Sequence, residues 1–162
     1  AELSSITPVT EIVEVTTPEQ IERVRWLIRA YQSQLPERYC FPNDGWLNLP
    51  GAYAPPQGAL LLATIAGEPA GCVGLRSFPQ AGACEMKRLY VRPTFRGHKL
   101  GNTLVEQIIQ VARRLGYSRL RLDTHPDTMQ AAVELYRRFG FEEVVDNPLP
   151  LVPGLSYMEL RL

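Results

Sequence analysis

The feature that most constrains the fold of this chain is a strand-to-helix segment near its middle, residues 87–102. A strand pattern ends at Val91, Pro93 prevents its continuation, and a turn containing Gly97 and Gly101 leads into a helical pattern. Such a turn directs several backbone N–H groups and the positive end of the helix dipole toward one place. The segment therefore predicts a pyrophosphate site, and a plain strand-to-helix connection is the alternative.

Positively charged side chains in this turn support a phosphate site. Arg96, His98 and Lys99 all lie between the strand pattern and the helix pattern. The chain has no P-loop ending in Gly-Lys-Ser/Thr, and it has no dinucleotide G-x-G-x-x-G motif with an acidic residue downstream. These two classes of nucleotide-binding protein are therefore excluded.

Hydrophobic periodicity predicts the order of the remaining elements. Strands are predicted over residues 11–15, 59–65, 70–78, 83–91, 119–124, 141–145 and 156–162, and helices over residues 18–35, 102–115 and 128–139. Thr17 and Gln20 form a capping-box pattern at the first helix start, and residues 66–68 predict a hairpin turn. This mixture predicts one α/β or α+β domain, whose sheet carries helices on both faces.

Composition and charge limit the partners. The 162 residues suit one domain, which would bury roughly 70% of its unfolded surface. Their formal net charge is zero, so no general electrostatic attraction draws the chain to nucleic acid or to an anionic membrane. No apolar run approaches the roughly 18 residues of a membrane span. We expect neither nucleic acid nor membrane as a partner.

The first residues and the cysteines bear on the compartment. Residues 1–9 lack the features of a secretory signal and are expected to be a tail before a domain at 10–162. Cys40, Cys72 and Cys84 are odd in number and widely spaced, which indicates reduced thiols. Together with the two histidines they show no metal-ligand spacing. We expect a cytoplasmic protein that binds no metal.

Two segments lack readable motifs. Residues 36–57 are rich in proline and aromatic residues, and they either line a substrate cleft or pack over the core. Residues 146–153 form a second proline-containing loop. Neither segment identifies a substrate.

Two other segments resemble motifs of a known family. Residues 89–93 read L-Y-V-R-P and residues 96–101 read R-G-H-K-L-G, similar to motif A of the GNAT family of N-acetyltransferases. In that motif a strand ending L-Y-V-x-P precedes an R-G-x-G-[IL]-G turn and a long helix. Residues 131–141 read A-A-V-E-L-Y-R-R-F-G-F and resemble motif B, A-x-x-L-Y-x-x-x-G-F. The order and separation of the two segments also fit the family.

The resemblance implies a mixed sheet in which two central parallel strands splay apart around the pantetheine arm of acetyl-coenzyme A (acetyl-CoA). Backbone groups of Leu89 and Val91, which flank Tyr90, would bind the thioester end of this cosubstrate. The pyrophosphate would lie against the amides of Arg96, Gly97, His98, Lys99, Leu100, Gly101 and Asn102.

The turn departs from the strict family pattern, Q/R-x-x-G-x-G/A. Thr94 and Lys99 occupy its first and last positions. Lys99 places a β-carbon where glycine or alanine is usual, which hinders close approach of the backbone to phosphate. Its ammonium group would compensate by reaching the phosphates.

The resemblance also implies catalytic residues. Tyr136 of motif B would protonate the departing thiolate, because a phenol is protonated at neutral pH. The alternative is a core tyrosine. Glu85 matches the glutamate base of the histone-acetylating branch, and the alternatives are an ion pair with Lys87 or Arg88 and a proton route through water. Cys84 is either a thiol nucleophile or a structural cysteine.

The sequence thus predicts an enzyme that transfers acetyl from acetyl-CoA to an amine of a small molecule or peptide by direct attack. A non-catalytic sensor of coenzyme A (CoA) and an interaction module without the cofactor are the alternatives. The oligomeric state is open between a monomer and a homodimer.

Overall fold

The computed structural model describes residues 9–34, 48–97, 99–124, 130–145 and 153–162. Four features predicted from the sequence lie outside these ranges. They are the tail up to residue 8, the reduced state of Cys40, the phosphate contact of His98, and most of the two motif-free loops.

Within the described ranges, seven strands and three α-helices form one mixed domain. They are β1 (Thr10–Glu14), α1 (Pro18–Ser33), β2 (Ala59–Ile65), β3 (Glu68–Ser77), β4 (Ala83–Val91), α2 (Leu100–Arg114), β5 (Arg119–Thr124), α3 (Gln130–Arg138), β6 (Glu142–Val144) and β7 (Ser156–Arg161). Short 3₁₀ turns cover Gly51–Tyr53 and Pro93–Phe95. The predicted order and fold class are confirmed, with element ends shifted by two residues or fewer in most cases.

The first helix begins where its capping signal predicts. The Gln20 backbone N–H donates to Thr17 Oγ1 at 3.2 Å, and the Thr17 N–H donates back to Gln20 Oε1 at 3.0 Å. Pro18 occupies the first turn, where its missing N–H costs nothing. The side chains of Thr17 and Gln20 therefore accept hydrogen bonds from backbone amides that have no carbonyl partner within the helix.

The sheet has the strand order β1-β2-β3-β4-β5-β7-β6. Only β4 and β5 are parallel among the described pairs, and they pair over three positions, from Ala83 with Arg119 to Glu85 with Arg121. Both strands continue beyond this point, to Val91 and Thr124. The splayed parallel pair is therefore confirmed, and it leaves an opening between the far ends of β4 and β5.

Each face of the sheet carries a core. The larger core joins the sheet to α2 and α3 through side chains such as Leu104, Ile108 and Leu122. The smaller core joins it to α1 through Val24, Leu27 and Ile28, together with Tyr53, Leu60, Leu62, Cys72 and Tyr90. We call these the α2/α3 face and the α1 face. Among the described residues, no helix is long and apolar enough to cross a membrane.

Candidate active site

A β-bulge in β4 lies beside the opening. Gly74 of β3 pairs with Lys87, but Cys72 pairs with Tyr90, so β4 has one residue more than β3 between these pairs. Arg88 is the extra residue, and its backbone lies in the left-handed region with φ of 61°. Leu89 thereby has no β3 partner in the described register, and β5 has already diverged. The bulge thus interrupts the regular pairing of β4 at the residue to which the resemblance assigns a thioester contact, and that contact stays a prediction.

The turn after β4 leads into a helix whose first amides are open. The α2 helix follows Lys99, which has φ of 56°, and no described side chain caps its start. Thr103 N–H donates to the Lys99 carbonyl at 3.1 Å, so the amides of Leu100, Gly101 and Asn102 precede the first helical hydrogen bond. In contrast to α1, α2 presents free donors and its positive dipole end. These groups fit a pyrophosphate.

Several of the predicted cofactor-binding residues use their side chains for contacts within the protein. Tyr90 points to the α1 face, where Gln34 Nε2 donates to its hydroxyl at 2.8 Å and its ring lies 5.1 Å from that of Tyr31. Leu100 is buried in the α2/α3 core. Arg96 is exposed, and its Nε donates to the Val91 carbonyl at 3.3 Å. Tyr90 and Leu100 can therefore serve the cosubstrate only through their backbone groups.

Gly97 allows a matched test of the turn. It has φ of 94°, and Gly116 at the end of α2 has φ of 89°; a β-carbon at either position would meet no described atom within 4 Å. Alanine at either position should therefore cost similar stability, about 1–2 kcal/mol, from backbone strain alone. Gly97→Ala is expected to weaken CoA binding about tenfold, a change of about 1.4 kcal/mol, because it disturbs the phosphate-facing turn.

Gly116→Ala is the control and should leave the affinity unchanged. Thermal melts and calorimetric titration with CoA measure both quantities. Equal affinities for the two variants would remove the turn from the binding site.

Lys99 allows a second test of this turn. Its left-handed backbone favours glycine, so Lys99→Gly should relieve strain while it removes one positive charge. We expect CoA to bind a few-fold more weakly, with a difference that shrinks at high salt because salt screens exposed charges. Titrations at low and high ionic strength measure this. Tighter binding by Lys99→Gly would show that the β-carbon obstructs the phosphates.

Tyr136 of α3 is buried. Its ring packs 5.8 Å from that of Phe141, in the α2/α3 core. Burial raises the pKa of Tyr136, and the nearby Tyr31 and Asp123 raise it further. The hydroxyl therefore stays protonated at neutral pH, as a general acid requires. The packing equally satisfies a core role, so the catalytic role stays a prediction.

Glu85 lies in an ion pair. Its side chain is 3% exposed, and its Oε1 accepts from Arg76 Nε at 3.0 Å, with Arg76 Nη2 also at 3.0 Å. Lys87 Nζ lies 3.7 Å from Oε2. Lys87 was expected as a partner, whereas Arg76 was not. A buried carboxylate held by a guanidinium is poorly placed to reach an incoming amine, although its role as base stays a prediction.

Asp123 was missed by the sequence analysis. Its Oδ2 lies 2.7 Å from Lys87 Nζ, so this ion pair links β4 and β5 just beyond the last backbone pair. Because Leu120 and Leu122 face the α2/α3 core, strand alternation places Asp123 on the α1 face. Its side chain is 24% exposed. The only available signal was an acidic residue near the end of the strand parallel to motif A.

The cysteines of the described region are structural. Cys72 and Cys84 are free and buried, and burial raises the pKa of each thiol to about 12. Cys84 Sγ donates to the Arg119 carbonyl at 3.4 Å. A thiol that stays protonated at neutral pH is a poor nucleophile. Within the described ranges no group of three or more His, Cys, Asp or Glu is arranged to hold a metal ion.

Comparison with known proteins decides the family. The model of the acetyltransferase (GNAT) family matches residues 21–141, which include the splayed strands, the open turn and α3. The chain belongs to the GNAT family of acetyltransferases.

Individual proteins that are similar to this GNAT acetyltransferase support the same family assignment. An uncharacterized N-acetyltransferase of Schizosaccharomyces pombe is 41% identical over 157 residues, covering 93% of this chain and 94% of the relative. A GNAT acetyltransferase structure from Staphylococcus aureus Mu50 has a TM-score of 0.76 at 18% identity, covering 94% of this chain and 99% of that one. A putative acetyltransferase from Salmonella typhimurium, solved with its cofactor acetyl-CoA, has a TM-score of 0.68 at 19% identity, covering 94% and 93%.

These findings fix the class of reaction. The family model and the curated relative make the chain an acetyl-CoA-dependent N-acetyltransferase, and the two solved structures share its fold. The predicted family, fold and enzyme class are therefore confirmed.

Proposed function

We propose that this GNAT acetyltransferase acts by direct attack of an amine that enters the β4–β5 opening from the α1 face. The observation that carries the proposal is the pair of groups beside the opening. Tyr136 belongs to the α2/α3 core, and Asp123 lies on the α1 face, where it pairs with Lys87 of β4 at 2.7 Å just beyond the last β4–β5 backbone pair; its charge is also one cause of the raised pKa of Tyr136. A proton donor and a carboxylate thus flank the same opening. Acetyl-CoA supplies the activated acyl group.

The proton donor is assigned to Tyr136. A thiolate leaving from acetyl-CoA requires a proton, and a buried phenol keeps its proton at neutral pH. Burial also excludes water that would otherwise compete as the donor. The backbone of the β4 bulge at Leu89 supplies a hydrogen-bond donor for the acyl oxygen, a contribution typically of a few kcal/mol.

The proton route from the amine is assigned to Asp123, through a water molecule. Asp123 also pairs with Lys87, at 2.7 Å, but its side chain is 24% exposed and can meet an acceptor, whereas the side chain of Glu85 is 3% exposed and is held by Arg76. An ammonium acceptor would also be attracted to the carboxylate before it loses its proton. Glu85 is the alternative base, and in that case the Arg76 pair must open during turnover.

The acceptor is proposed to be an amine of a small molecule or a peptide. The test is a screen with acetyl-CoA and amino acids, polyamines, aminoglycosides and peptides, in which release of the free thiol of CoA is measured. Turnover with one class and not with the others identifies the acceptor. No turnover with any class, despite tight CoA binding, would overturn the catalytic proposal.

A non-catalytic CoA sensor is the second candidate. The observation in its favour is Lys99, which holds a left-handed backbone despite its side chain. If this chain is a sensor, CoA should bind and change its stability, while every amine in the screen leaves acetyl-CoA intact.

A further inference from the structure

The hydroxyl of Thr124 is buried without a hydrogen bond. Thr124 is 3% exposed, and its Oγ1 has no hydrogen-bond partner in the described part of the chain. The atom is shielded from bulk solvent, so the hydroxyl has lost hydration without gaining a described protein partner, which costs stability. Buried polar groups without partners are rare in proteins, and they often mark a site that a ligand completes.

Other hydroxyls show that this fold does satisfy such groups. Thr103 Oγ1 donates to the Lys99 carbonyl at 3.1 Å, and Ser118 Oγ donates to the Gly82 carbonyl at 3.1 Å. The Tyr117 hydroxyl donates to the Gln57 carbonyl at 2.6 Å. These groups are more exposed than Thr124, yet each has a protein partner. The lack of a described hydrogen-bond partner for the Thr124 hydroxyl is therefore specific to the place of Thr124 in the fold.

That position is the end of β5 at the opening. On one side Thr124 pairs with Ser156 of β7, and on the other side β4 has diverged, because the last β4–β5 pair is three residues earlier. Its side chain shares the α2/α3 face with Leu120 and Leu122 by strand alternation. Tyr136 belongs to the same face. Thr124 thus lies at the opening and faces the core to which the residue assigned as proton donor belongs.

We propose that the Thr124 hydroxyl donates a hydrogen bond to a carbonyl oxygen of the acyl-pantetheine arm and thereby positions the thioester. The arm offers two kinds of carbonyl, the amides of pantetheine and the acetyl thioester. A hydroxyl can donate to either kind. The proposal rests on acetyl-CoA binding by the family and does not depend on the acceptor or on the proton route.

The test replaces the hydroxyl by a methyl group. Thr124→Val removes a polar group that has no partner in the ligand-free protein, so its melting temperature should rise. In the same variant the calorimetric Kd for acetyl-CoA should increase about fivefold to tenfold, because the arm loses one hydrogen bond in a buried site. Thr124→Ser keeps a hydroxyl and should bind within about twofold of the wild type. Thr64→Val, on β2 away from the opening, should bind as the wild type does.

A comparison of the affinities for acetyl-CoA and for CoA shows which carbonyl Thr124 contacts. If Thr124 bonds the acetyl carbonyl, the valine variant loses affinity for acetyl-CoA and keeps its affinity for CoA; if it bonds a pantetheine amide, it loses both equally. Unchanged affinity for both would overturn the proposal. A valine variant that is less stable or does not fold would also overturn it, because the hydroxyl must then have a protein partner. Failure of the wild type to bind CoA would instead contradict the acetyl-CoA site itself.

Discussion

Tyr136→Phe is expected to lower kcat by about 100-fold or more at neutral pH, with the fold and the CoA affinity preserved. The change deletes one hydroxyl and keeps the ring that packs on Phe141. Since burial raises the pKa of Tyr136, the wild-type group remains a donor through neutral pH, and no other described hydroxyl is assigned to replace it. Steady-state turnover with the best acceptor of the screen measures the loss.

Tyr117→Phe is the matched control. The Tyr117 hydroxyl also makes a defined contact, with the Gln57 carbonyl, but it lies away from the opening. Its loss should cost about 1 kcal/mol of stability and leave kcat unchanged. Acyl donors whose leaving thiol is more acidic should recover part of the Tyr136→Phe loss, because their thiolates need less protonation. Activity of Tyr136→Phe within a few-fold of the wild type would end the general-acid assignment.

Asp123→Asn is expected to lower kcat/KM by about 100-fold, because the change removes the carboxylate assigned to accept the amine proton. Glu85→Gln is the matched variant on the neighbouring strand. It should cost mainly stability, about 1–3 kcal/mol, because it leaves Arg76 with a weaker partner on a buried strand. Its kcat/KM should stay within a few-fold of the wild type, and steady-state kinetics with the best acceptor of the screen measure both variants.

The opposite pattern of activity in the two variants would identify Glu85 as the general base. If Glu85→Gln loses turnover while Asp123→Asn stays active, the base implied by the resemblance is right and Asp123 serves to join the strands. If both variants stay as active as the wild type, the proton leaves through water alone. Both variants should bind CoA normally, which separates these effects from cosubstrate binding.

The sequence predicted the elements better than it predicted the site. The bounds of β2, β4 and β5 match their predicted ranges because their apolar runs are short and each ends at a turn or proline. The open start of α2 also followed from the glycines of the turn. Such features depend on neighbouring residues, so a local pattern contains them.

Contacts between distant residues could not be read in this way. The pair of Arg76 with Glu85 depends on the register of β3 against β4, and the pair of Lys87 with Asp123 depends on how far β4 and β5 stay together. Arg121 is fully buried on β5, although its residue type favours solvent. The isolated hydroxyl of Thr124 follows from the whole arrangement. None of these facts leaves a local signal.

The β4 bulge has a consequence for how such a strand can acquire or lose residues. Before the bulge, Cys84 and Met86 face the α2/α3 core; after it, Leu89 and Val91 pack against the same core. If Arg88 is left out of the count, the alternation of β4 is regular from Cys84 to Val91. Arg88 is therefore an insertion that leaves the facing of every other side chain unchanged. Insertion of a single residue at this point can therefore interrupt the pairing of β4 without changing which of its side chains enter either core.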